Sequence, residues 1–420
     1  MAAMEVVREC VQVVTTLAVV FVIGWLGRLA ARVLRQPEVI GEIVAGLAAG
    51  PAAVALLGPR SFSTVLPDSV LDVLKLFADI GLVLFLVGLT YRLHHRGQRL
   101  HGRTTGWTVA GGLVPALLAG VLLACWILFA EDGAVRGHAS LPSFLLMCAT
   151  ATSITAVPVL ARMLADCGLT DTVAGGLAMT AAVVIDTFGW LLLSISVGLN
   201  SGEMSGFFRV MAVLAGGALV AFLVRQAART RAASVLCTRM PWSTSVLLGA
   251  AAIAMGLAAE RLGLTAVFGA VLIGLAIPAE RADAPWAKRV VPIGKAGKAF
   301  LPAFFVVTGI TVFARGVSAL HWPLIVVAIV LAVVGKGGGS YLGARLGGES
   351  RHTALRVGVL MNMRGLTELI VLKVGFSAGI ISAPLFVALV IMAVAVTVLT
   401  GPLLRLLERR VPAPADATPE

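Results

Sequence analysis

The sequence predicts an all-α polytopic membrane protein of about thirteen transmembrane helices, and composition and run length carry that prediction. Of the 420 residues, 59% are hydrophobic and only 13% charged, whereas soluble domains carry about a quarter charged residues. Apolar runs of about 20 residues, the length that crosses a bilayer core, follow one another along most of the chain. The formal charge of +12 does not point to nucleic acid, because the bases are spread thinly and no basic block is interleaved with aromatics. It reads as a topology signal instead.

The runs fall at about 11–31, 39–57, 70–90, 106–130, 140–164, 173–199, 207–224, 243–259, 264–279, 297–314, 319–343, 353–375 and 380–404. The first lacks a small-residue cleavage site after a short apolar core and reads as an uncleaved helix. With the N-terminus outside, most of the 33 Lys and Arg fall on inner loops, Arg28, Arg32, Arg35, Arg162 and Arg405 among them. Only Arg8, Arg60, Arg136, Arg209, Arg261 and Arg315 fall on outer loops. That bias predicts a multi-pass protein of the cell (plasma or inner) membrane with a cytoplasmic C-terminus. The five cysteines show no metal-ligand spacing and read as small apolar residues. One membrane domain is expected over 1–408, followed by a short Pro/Ala-rich tail, 409–420, expected to be disordered.

An internal repeat orders these helices. "EVIGEIVAGLAAGP" (38–51) aligns with "TAVFGAVLIGLAIP" (265–278), matching Gly41 to Gly269, Gly46 to Gly274 and Leu47 to Leu275. "LFLVGLT" (84–90) and "AFFVVTGIT" (303–311) follow in the same order. The partners lie seven runs apart, so they cross in opposite directions, the pattern of inverted six-helix repeats in secondary transporters. Such folds place discontinuous helices at corresponding positions, here the fifth and twelfth runs. The fifth, "ATATSITAVPVLARM", sets Thr150, Thr152, Ser153 and Thr155 before Pro158. It reads either as a broken helix with free carbonyls or as a proline kink with hydroxyls bonded back to the helix. The twelfth, "MNMRGLTELIVL", groups Asn362, Arg364, Thr367 and Glu368 around Gly365.

Charges inside the membrane cost about 2.5–3.5 kcal/mol each on insertion scales and therefore mark function or a buried partner. Asp186 stands roughly 20 Å along the sixth run at the helical rise, near mid-membrane. It is the leading candidate for a carboxylate that binds either a proton or a metal cation; a structural partner to a buried base is the other reading. Lys336, flanked by glycines in "VVGKGGGSY", and Arg364 read as neutralising buried acids or capping broken helix ends. Arg364 and Glu368 have i, i+4 spacing and can pair. Glu42 reads as structural, and Asp79 is left open.

These segments together resemble the second branch of the monovalent cation:proton antiporter superfamily, the sodium (or potassium)/proton exchangers. The resemblance covers about residues 12–406. It rests on "QPEVIGEIVAGLAAGP" (36–51), "IGLVLFLVGL" (80–89), "ATSITAVPVLARML" (151–164), "AAVVIDTFGWLLL" (181–193), "FGAVLIGLAIP" (268–278), "LPAFFVVTGI" (301–310) and "LMNMRGLTELIVL" (360–372). It implies a thirteen-helix fold with a dimerisation domain and a mobile core domain, broken helices 5 and 12 crossing beside helix 6, a homodimer and elevator-like alternating access. By resemblance, Asp186 matches the ion-binding aspartate, a transient Na+ or K+ ligand. Thr152, Ser153 and Thr155 match the break of helix 5. Lys336 resembles the basic residue of helix 11, and Arg364 and Glu368 match the "RGLTELI" segment. Two positions depart from the family. Ile185 stands where a polar residue usually precedes the aspartate, and Thr90 stands where the third helix commonly ends in an acid.

The expected activity is secondary transport, exchanging protons for Na+ or K+ at Asp186. With a single acid at the site, one-for-one electroneutral exchange is expected. The alternative is a cation-coupled carrier of a small organic ion on the same fold, which would need a roomy midplane cavity and an unpaired Lys336 or Arg364. No enzyme constellation occurs, and no cofactor is expected beyond the transported ions.

Overall fold

The computed structural model describes residues 2–58, 66–95, 102–130, 133–137, 139–278, 285–313 and 321–409. Residues 410–420 of the expected tail, and Arg60 and Arg315 among the outer bases, lie outside these. Each apolar run lies on a helix or on a pair of half-helices: α1 (Ala2–Val33), α2 (Glu38–Leu57), α3 (Asp68–His95) and α4 (Gly102–Ala130) lead into α5a (Leu141–Ser153) and α5b (Val157–Asp166). Next come α6 (Val173–Ser201), α7 (Ser205–Ala228), α8 (Pro241–Arg261), α9 (Ala266–Ala276) and α10 (Pro285–Phe313). Helix α11a (Trp322–Ala332) passes through a π turn (Val333–Gly338) into α11b (Gly339–Leu346). Then follow α12a (Arg351–Met361), α12b (Leu366–Ser377) and α13 (Ala383–Arg409). Among the described residues, ten helical stretches are long and apolar enough to cross a membrane.

Local chemistry sets several boundaries. Thr172 and Ser350 accept the amide protons of Gly175 and Thr353, N-capping α6 and α12a. Gly202, left-handed at φ 77°, closes α6. Pro158 sits in the first turn of α5b, where its missing N–H would be unpaired in any case.

Two expectations from the sequence need correction. Helix α10 begins at Pro285 rather than near 297. Lys288, Arg289, Lys295 and Lys298 depress the hydropathy there, yet Trp286, Val290 and Ile293 bury a helical stripe beneath them. Arg162, counted as a loop base, is buried inside α5b among carboxylates.

The helices form two packed sets. One holds α1–α3 and α8–α10; the other holds α4–α6 and α11–α13; α7 touches α6 and α9. Each set therefore joins three consecutive helices to the three that lie seven later. The aligned glycines do equivalent work in the first set. A Cβ on Gly41 would meet the Gly27 backbone of α1, and one on Gly269 would meet Met255 and Gly256 of α8. Likewise Gly46 of α2 faces Phe305 and Val306 of α10, while Gly274 of α9 faces Val87 and Thr90 of α3.

In the second set, Gly335, Gly339 and Gly343 form a row that lets α11 close on Trp107, Gly111, Pro115 and Ala119 of α4. Gly41→Ala is expected to lose about 1–3 kcal/mol by overpacking against Gly27. Gly106→Ala, in a helical position with open space, is expected to be neutral or to gain up to about 1 kcal/mol. Thermal unfolding of the two purified variants in detergent checks the contrast.

Candidate ion-binding site

The site grows out of the two helix breaks. After Ser153 the chain leaves the helix through Ile154 (φ −63°, ψ 144°), and α5b resumes at Val157. After Met361 it leaves again through Asn362 to Gly365, and α12b resumes at Leu366. The breaks touch: the Ala156 amide donates to the Met363 carbonyl at 3.4 Å. Gly365 makes the approach possible, since a Cβ there would press on Ala156 and Val159. The α5 break also rests on α6, where Ile154 fills the space left by Gly189, one turn from Asp186.

A helix that ends inside a protein leaves carbonyls needing donors. At the end of α5a these are Ala151, Thr152 and Ser153. The fully buried Arg364 donates to Ala151 O (3.1 Å) and Thr152 O (2.7 Å), and the fully buried Lys336 donates to Ser153 O. Two cations thus face the partial negative charge of that half-helix end. Arg364 also pairs with Glu368 at 3.0 Å. The break of α12 is held in turn by Thr397 of α13, whose hydroxyl accepts from Arg364 N (3.0 Å) and lies 2.7 Å from Arg364 O.

Thr397 was not legible in the sequence. It is one hydroxyl in the last apolar run, and its partner lies 33 residues away. Thr397→Val is expected to cost about 1–3 kcal/mol, because it orphans buried backbone groups. Thr397→Ser is expected to restore wild-type stability, as read by thermal unfolding.

The hydroxyls before Pro158 divide. Thr152 donates into carbonyls, including Ala116 O of α4 at 2.9 Å, and Ser153 donates to Thr150 O at 3.0 Å. Thr155 Oγ1 finds no partner within the protein. Asp186 Oδ1, Asn362 Oδ1, Thr367 Oγ1 and Glu368 Oε2 are likewise buried without a hydrogen bond. Buried oxygens are normally satisfied, so the unpaired oxygens on α6, at the two breaks and at the start of α12b are candidate hard ligands for a cation.

Asp186 is buried on α6 and feels the charge of Lys336. Beside it Val157, Val183, Thr187 and Trp190 wall a cavity of about 10 Å³, the size that takes one water-sized occupant. Ile185 points elsewhere, converging with Ser340 and Met361 on Gly112 of α4. Asn362 packs its amide against Gly337 in the π turn. Glu42 is buried between Arg28 (3.4 Å) and Arg162 (3.8 Å). Asp79 is buried near the Lys75–Glu260 pair, which closes at 2.7 Å.

A multi-pass helical membrane protein whose two broken helices meet against a helix carrying a buried aspartate has the architecture of a secondary transporter. The chain belongs to the sodium/hydrogen exchanger family, whose transmembrane profile matches residues 17–406. It is 33% identical over 379 residues to cation/H(+) antiporter 17 of Arabidopsis thaliana, covering 89% of this chain and 45% of that one. It is 30% identical over 391 residues to the Na(+)/H(+) antiporter NhaS4 of Synechocystis, covering 90% and 92%. The chain thus spans about half the length of the plant relative and nearly all of the cyanobacterial one. Its fold is similar to that of the sodium proton antiporter MjNhaP1 from Methanocaldococcus jannaschii solved at pH 8. The TM-score is 0.65 at 16% identity, over 96% of this chain and 99% of that one.

Proposed function

We propose that this protein exchanges protons for Na+ or K+ across the plasma or inner membrane, with Asp186 binding either the proton or the cation. The observation that carries this reading is the buried Asp186, approached by Trp190 but with Oδ1 short of a full hydrogen bond, beside a broken helix whose α5a end is already capped by Lys336 and Arg364. Thr155 Oγ1 and Asn362 Oδ1 are the further oxygens we assign to the ion. Thr152 and Ser153 would contribute only lone pairs, their protons being committed to carbonyls. Thirteen crossings, arranged as two inverted six-helix repeats joined by α7, are supported by the seven-apart grouping and the matched glycine contacts. The set carrying Asp186 moves against the other set in an elevator-like step, within a homodimer whose N-terminus is outside and C-terminus cytoplasmic. The cavities beside Asp186 and beside Arg364 are about 10 Å³ each, and both bases are engaged. Those sizes favour a bare ion over the organic ion of the alternative reading.

Purified protein in liposomes with an imposed pH gradient tests this: Na+ or K+ added outside should dissipate the gradient. If none of Li+, Na+, K+ and Rb+ does so, the reading fails. With Ile185 in place of a second polar residue, the exchange should be one-for-one. The initial rate should then stay unchanged when an electrical potential is clamped across the same liposomes.

A further inference from the structure

A third cavity, of about 840 Å³, opens at the end of the molecule where α1 and α13 finish, α2 starts and α5b stops. Its volume lies within the range of about 300–1,000 Å³ typical of ligand sites. Six cations from four helices line it: Arg28, Arg32, Arg162, Lys295, Lys298 and Arg405. Three carboxylates face the same space, Glu38, Asp166 and Glu408. The arginines of α1 and α5b are matched already: Arg32 with Glu38 at 2.7 Å, Arg28 with Glu42, and Arg162 with Glu38, Glu42 and Asp166. Lys295, Lys298 and Arg405 close no ion pair among the described residues, although Lys298 feels Asp166 at longer range, and Glu408 is the carboxylate left over in the lining.

Complementing a helix end does not explain the lysines, which stand within α10 rather than in its last turn. A cation would be repelled from this surplus, whereas a phosphate would be held by it. In the orientation proposed above, the cavity lies at the inner leaflet, where basic pockets between transmembrane helices take anionic head groups. We infer that this cleft is a binding site for a phosphate-bearing anion, seated on Lys295, Lys298 and Arg405 between α10 and α13. Its placement at the inner leaflet rests on the orientation proposed above, whereas the test reads binding and not transport.

The full-length protein in detergent is titrated with dioctanoyl phosphatidylglycerol, with dioctanoyl phosphatidylcholine and, separately, with inorganic phosphate. Unfolding temperature and direct binding are followed. A saturable response to phosphatidylglycerol is expected, with apparent affinity falling about tenfold or more in the Lys298→Gln, Arg405→Gln double variant. Arg351→Gln, an inner-side base outside the cavity, should leave it unchanged. A response to inorganic phosphate at similar concentrations would identify a free anion as the ligand; a response to the glycerol lipid alone would identify a head group. Equal binding by the double variant, or an equal response to phosphatidylcholine, would overturn the inference. Lys298 is exposed and Arg405 half-buried, so the double variant is expected to keep the fold, and the unfolding curve of the unliganded variant reports it directly.

Discussion

Asp186→Asn is expected to bring cation-driven dissipation of a pH gradient down to the leak of empty liposomes. The amide keeps the size of the carboxylate but can neither release a proton at working pH nor offer a full negative charge to a metal ion. The fold should survive, since the substitution is nearly isosteric. The buried oxygen that lacks a hydrogen bond is also a smaller burden on an amide than on a carboxylate. The wild type carries a linked expectation. If proton and cation exclude one another at this carboxylate, acidification must raise the cation concentration for half-maximal exchange. That rise approaches about tenfold per pH unit on the acid limb. Measured exchange by the Asn variant, or half-saturation that ignores pH, would remove Asp186 from the role assigned to it.

Arg364→Met should instead strike stability. The guanidinium reaches Ala151 O, Thr152 O and Glu368 from one buried position. Its loss strands two carbonyls and a carboxylate together, and breaking a buried pair in this way costs about 3–5 kcal/mol. Thermal unfolding in detergent should show a large drop, with poor recovery of folded protein. Arg364→Lys should restore only part of the loss, because an ammonium lacks the planar fork that spans two carbonyls. Adding Glu368→Leu to Arg364→Met should recover the share due to the stranded carboxylate and leave the share due to the carbonyls. An Arg364→Met protein as stable as the wild type would show that the α5a end is held by other means.

The contrast between these residues marks how far the sequence could be read. Helix positions were legible because run length and hydropathy are local; Gly365 marked one interruption, while Pro158 fitted a simple kink as well as the break that the chain makes. Asp186 was legible because a lone carboxylate in an apolar run is expensive. What pairs with what was not legible. Arg364 and Glu368 could be matched by spacing, but the contacts of Arg364 with Ala151 and Thr152 span more than 200 residues. Nothing in "MNMRGLTELI" names them. Thr397 gave no signal, for the same reason. The fates of Thr152 and Ser153 also turned on geometry: four hydroxyls in sequence look alike until the backbone decides which of them face a carbonyl. The start of α10 was missed because averaged hydropathy penalises a helix whose charged face leaves the membrane.

The π turn in α11 has one more consequence. Its wider winding accommodates one residue more than an α-helix would over the same rise. Gly335 within it and Gly343 beyond it both stand against α4, while Lys336, also within it, reaches Ser153 on α5a. The stretch therefore works as a spacer whose length matters more than its composition. Removing Gly338 alone takes away no side chain, and a Cβ there would face open space. The turn would then close into an ordinary α-helix over the same rise, and only the residues inside it would change direction. Gly339 and Gly343 could keep their places against α4, but Lys336, inside the turn, would lose its aim at Ser153 O. A deletion that looks silent on paper would cost the link from α11 to the end of α5a.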